Sequence, residues 1–127
     1  MGRVAVDYSS SRVVESQKVA GVRFTVLKMS FGRRMELMGQ VRELARRAEF
    51  LGAGESAQER MDAALARAEI DRLYVKWGLV AIGGLKVDGA EATPEILAES
   101  GPEELFREAL GLVRRETGLD EAERKNC

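Results

Sequence analysis

Over residues 21–30 the chain alternates with period two. Val22, Phe24, Val26 and Lys28 fall on one side, and Arg23, Thr25, Leu27 and Met29 on the other. That is the pattern of a half-buried strand. A weaker strand is predicted over residues 12–15, and the opening "RVAVDY" alternates briefly. Two or three short antiparallel strands are therefore expected, with a helix needed to cover one face. From Ser30, a good N-cap, the period turns helical: Leu37, Val41, Leu44, Ala48 and Leu51 recur at four- and three-residue steps, widened by Phe31, Met35 and Met38. Gly52 and Gly54 break this helix. A second is predicted over residues 56–77, its apolar positions Met61, Leu65 and Ala68 continuing into Ile70, Leu73, Tyr74 and Trp77. Two amphipathic helices joined by a short glycine loop pack most economically as an antiparallel hairpin.

Residues 78–93 change character. They hold several glycines and the turn dipeptide Asp88-Gly89, so a loop is expected, with a short hairpin pairing residues 79–82 with 85–87. Thr93 followed by Pro94 opens a short helix. Pro102 opens another, running to about residue 117, with Leu105, Ala109 and Leu112 beside Phe106, Leu110 and Val113. Gly111 inside that helix costs about 1 kcal/mol relative to alanine, so packing must hold the helix in place. Gly118 can cap its C-terminus, and Asp120 with Glu123 forms a capping box for a last turn. The fold class predicted is α+β, mostly α. A single domain covers residues 1–127: a β-rich part at 1–30, a helical hairpin at 31–77, a glycine-rich loop at 78–93 and acidic C-terminal helices at 94–127.

Composition narrows the function. The chain has 127 residues, 45% hydrophobic and 32% charged, and no histidine. Without histidine the commonest general base and the commonest metal ligand are missing, and the triad chemistry of serine and cysteine nucleophiles goes with them. Its one cysteine, Cys127, cannot close an internal disulfide or hold zinc alone. We expect no enzymatic activity, no catalytic or metal residues and no cofactor. No apolar run approaches the ~20 residues of a membrane span, and the N-terminus has neither the apolar core of a secretory signal nor a myristoylation motif. A cytoplasmic protein that does not engage membranes is expected.

Charge is split along the chain. Residues 1–87 hold 15 Lys and Arg against 10 Asp and Glu, a net of +5, and residues 88–127 hold 5 against 11, a net of −6. Arg33, Arg34, Arg42, Arg46 and Arg47 suggest a nucleic-acid patch, but Glu36, Glu43 and Glu49 lie among them at pairing spacings. A phosphate-binding surface needs a larger unopposed excess, so no nucleic acid is expected. "AIGGLKVDG" lacks the spacing of a phosphate-cradling loop. Binding another protein is what remains, with Met29, Met35, Met38 and Met61 open to either a core or a contact role.

In order, Gly78-Leu79-Val80, Gly84-Leu85, Asp88-Gly89, Thr93-Pro94, Gly101-Pro102 and the closing Leu119 through Asn126 resemble the tail assembly chaperones of long-tailed bacteriophages. The cover is roughly residues 21–126. Asp120 stands where the family's ending has Ser or Thr, and all three residues cap helices. The resemblance implies a protein of the host cytoplasm that binds the tape measure protein and keeps it soluble until tail tube subunits polymerise around it. Such a chaperone is absent from the mature virion, and many members are extended by a programmed frameshift near this ending. The tail tube protein is a second candidate partner, and self-association is left open. Phe106, Leu110 and Val113, with Trp77 and Leu79, are the candidate apolar partner surface, and Glu103, Glu104 and Glu108 its acidic rim. The competing reading of the apolar stripe is core. The competing functions are a structural tail completion or connector protein and a small helical nucleic-acid-binding regulator.

Overall fold

A computed structural model describes residues 5–117. Its elements in chain order are β1 (Ser11–Glu15), β2 (Arg23–Leu27), α1 (Phe31–Gly52), α2 (Ala57–Gly78), β3 (Leu79–Gly83), β4 (Lys86–Val87), β5 (Ala90–Glu91), α3 (Pro94–Ser100) and α4 (Glu103–Glu116). The architecture is α+β and mostly α.

Local chemistry explains most boundaries. Ser30, Ser56 and Thr93 each accept a hydrogen bond from a backbone N–H in the first turn of α1, α2 and α3, and Pro94 follows its cap directly. Asp88 and Gly89 both have positive φ, 51° and 84°, the backbone a two-residue hairpin turn needs between β4 and β5. The alternation in β2 holds: Val22, Phe24 and Val26 are buried. Residues 5–10 form no strand, and Val6 and Tyr8 stand exposed, Tyr8 beneath Lys28 Nζ. Gly118 and the Asp120–Glu123 capping box lie outside the described residues.

Two expectations are corrected. Residues 79–82 do not pair with 85–87. Instead β3 runs antiparallel to β2, with Phe24 opposite Ile82 and Val26 opposite Leu79, so the sheet has order β1-β2-β3. The local hairpin is the smaller β4–β5 pair. The physical reason is burial: Leu79 joins the same buried cluster as Phe24 and Val26, which a local hairpin would not offer it.

The second correction concerns α2. Its buried residues are Ala63, Ala66, Tyr74, Val75 and Gly78, whereas Met61 and Leu65 are 60% and 61% exposed and Ala68 is exposed too. At 100° per residue Met61 and Leu65 point roughly opposite Ala63. The hairpin closes on small side chains: Ala48 of α1, with Ala63 and Ala66 of α2, makes a thin distal seam. That lets the two backbones approach and leaves the bulkier stripe outside.

The core lies at the hairpin's base. There β2, α1, α2, β3, α3 and α4 bring together Phe24, Val26, Leu37, Tyr74, Leu79, Leu97, Leu105, Ala109, Leu110 and Val113. Adjacent arginines in α1 fasten that base. Arg33 donates to the Trp77 carbonyl from Nε and Nη2, at 3.3 and 3.0 Å, and Arg34 donates from Nη1 to the Thr117 carbonyl at 3.2 Å. Each cation thus meets the carbonyl-rich end of another helix, α2 or α4.

Two glycines well inside their helices have no packing role. A Cβ at Gly39 would meet nothing within 4 Å, and one at Gly111 only Arg115 Nη2 at 3.9 Å. Gly39→Ala and Gly111→Ala are each expected to raise stability by about 0.5–1 kcal/mol. Urea denaturation checks this; a fall in midpoint for either would show a constraint on its backbone.

Candidate functional site

The outer stripe of α2 leads into a groove between three helices. Leu65 and Ala68 of α2, Leu97 and Ala98 of α3 and Phe106 of α4 supply its apolar lining, and its volume is about 470 Å³. Leu97 is buried and forms the floor, and Phe106 is half-buried. Met61, one turn before Leu65, extends the apolar path toward the hairpin tip.

Charged side chains frame the groove and stitch its walls. Asp71 of α2 accepts from two arginines of α4: Arg107 Nη1 at 3.0 Å and Arg114 Nη2 at 2.9 Å. Arg107 Nε also reaches Glu103, and Arg72 of α2 forms an ion pair with Glu99 of α3. The hydrogen bond to Asp71 first, then that to Glu103, holds the Arg107 guanidinium above its ordinary pKa. The Arg114 guanidinium lies over the Tyr74 ring, 5.1 Å from its centroid. These links tie α4 and α3 to α2, so the groove is formed before anything enters it. It combines an apolar lining with a frame of six charged side chains, Glu69, Asp71, Arg72, Glu99, Glu103 and Arg107.

The residues singled out from the sequence scatter around this centre. Glu103 and Phe106 lie in the groove together. Leu79, Leu110 and Val113 are 4%, 5% and 0% exposed and belong to the core, where they offer a partner no surface. Trp77 is half-buried against the core beneath the Arg33 guanidinium, 4.5 Å from its ring centroid. Glu104 is exposed and faces a separate polar cleft between β1 and α4. Glu108 borders that cleft with a structural job: its carboxylate accepts from Ser16 Oγ at 2.6 Å and from the Gln17 N–H at 2.7 Å, pinning the loop between β1 and β2.

Sequence reasoning missed Leu65, Ala68 and Leu97 as surface or groove residues, while Met61, open to either a core or a contact role, is exposed. The signal was present, because α2 carries two apolar stripes and only one can face α1. Of the five arginines in α1, Arg33 and Arg34 are turned to helix ends, Arg46 lies 3.7 Å from Glu43, and Arg42 and Arg47 are exposed. Among the described residues no helix is long and apolar enough to cross a membrane. Comparison of the chain with protein-family models, curated proteins and solved structures finds no match.

Proposed function

We propose that this protein works by protein–protein contact alone, as a phage tail assembly chaperone that holds the tape measure protein soluble until the tail tube encloses it. The observation that carries the reading is the apolar path from Met61 and Leu65 into the groove at Leu97 and Phe106. Exposed apolar surface that continues into a groove is what a helical client needs to bury its own stripe. The ordered motifs from Gly78 to Asn126 supply the family, and the family supplies the client. The setting is the host cytoplasm, with the chaperone left out of the virion.

Co-expression with the tape measure protein tests this. Leu65 is mostly exposed, so Leu65→Lys should fold normally, yet it sets an ammonium against the client's apolar stripe. At least about a tenfold loss of affinity is expected, seen as client moving from the soluble fraction to the pellet. A Leu65→Lys protein that keeps its client soluble would remove the groove from the function. Mass spectrometry of purified particles separates the chaperone from a structural tail component, because this chain should be missing from them.

A further inference from the structure

We propose that the helix received by this groove carries Lys or Arg along one flank of its apolar stripe, and that the same acidic edge keeps two copies of this chain from docking on each other. The inference rests on the groove being the docking site.

On the outer side of α2, Gln58, Met61, Leu65, Ala68 and Arg72 recur at three- and four-residue steps, the spacing of a helix-packing seam. The two flanks of that seam differ. One is formed by Asp62 and Glu69, which follow Met61 and Ala68 directly; the other by Ala57 and Ala64. Farther along, the charged lining of the groove is Glu69, Asp71, Glu99 and Glu103 against Arg72 and Arg107. Both arginines are already engaged, Arg72 with Glu99 and Arg107 with Asp71 and Glu103. Among the described residues Glu69 has no ion pair, and Asp62 accepts only a 3.4 Å bond from Gln58 Nε2. Along Met61–Ala68 the uncommitted charge beside the seam is therefore negative and lies on one side; the next residues on the two flanks are Lys76, and Asp71, which is already engaged by Arg107 and Arg114.

A second copy fits this edge poorly. Laid antiparallel, two α2 seams set Asp62 and Glu69 against the same carboxylates of the other copy, and like charges at that spacing repel. Laid parallel, they set the carboxylates against Ala57 and Ala64 and gain no ion pair. A client helix with basic residues on the matching flank gains attraction at both carboxylates, and the asymmetry fixes which way round it lies.

The test uses the full chain and two labelled helical peptides of about 20 residues. Both carry the same Leu/Ala stripe; one is flanked by Lys and the other by Glu. Fluorescence anisotropy should find the Lys peptide bound about tenfold more tightly. The gap should close at ~0.5 M salt and reverse in the Asp62→Lys, Glu69→Lys double variant. Light scattering should find no dimer that Leu65→Lys dissociates. If both peptides bind equally and Leu65→Lys abolishes both, the charge inference falls and the groove stands. If neither peptide binds, or binding ignores Leu65→Lys, the groove falls as well. A dimer broken by Leu65→Lys would make a second copy the occupant and overturn the proposal.

Discussion

Gly78→Ala should destabilise the protein by about 2–3 kcal/mol, although alanine is the better helix former. Gly78 closes α2 where that helix lies against α4, and a Cβ there would fall 2.3 Å from Val113 Cγ1 and 2.9 Å from Cγ2. Val113 is fully buried, and a β-branched side chain in a helix has one strongly preferred rotamer, so its methyls cannot swing aside. Val113→Ala removes the obstructing atoms at its own cost of about 1–3 kcal/mol. The double variant should then be more stable than the two single losses added together, by about 1 kcal/mol or more. Denaturant unfolding of the four proteins decides it. Strict additivity would mean that the cost of Gly78→Ala does not arise from its contact with Val113. The contrast with Gly39→Ala is instructive, because one substitution takes opposite signs according to what lies 3 Å away.

The second large effect separates two neighbours on α4. Leu110→Ser is expected to cost about 3–5 kcal/mol, since Leu110 is core and its loss leaves both a cavity and a buried hydroxyl. Phe106→Ser should cost much less, about 1–2 kcal/mol, because Phe106 is half-buried at the groove. It should leave a folded protein that no longer holds a helical client. Thermal unfolding and client solubility, measured on both variants, read the two effects independently. Should Leu110→Ser remain as stable as the wild type and lose its client, the buried stripe would have to open on binding. Should Phe106→Ser keep its client, the groove would not be the site.

What could be read from the sequence follows the range of the interactions involved. Ser30, Ser56, Thr93-Pro94 and Asp88-Gly89 act within a few residues of themselves, and each sits where local chemistry puts it. The alternation through Phe24 needed only a helix above it. The strand at residues 79–82 is where its pattern puts it, but its pairing is not, because its partner β2 lies far back in the chain, beyond both long helices, while a turn dipeptide stands close by. For α2, period alone could not choose between Ala63-Ala66 and Met61-Leu65. The heavier stripe is the natural choice on hydrophobicity, and close backbone approach decided for the lighter one. Glu108 reads as solvated because its partners, Ser16 and Gln17, lie at the other end of the chain. Half of the groove was therefore named in advance, at Glu103 and Phe106, and the α2 half was not.

The pairing of β3 with β2 across the helical hairpin has a consequence for how the chain assembles. The stretch between the two strands is long, and closing it as free coil would be entropically costly. Here it is occupied by two helices of 22 residues each, which rise about 33 Å and return by about the same distance. Once the hairpin forms, from contacts local in sequence, the end of α2 is delivered beside the start of α1, and β3 emerges within reach of β2. Order of synthesis favours the same route: β1 and β2 leave the ribosome first and wait with one edge open, and the sheet is completed only when the helical detour has folded back.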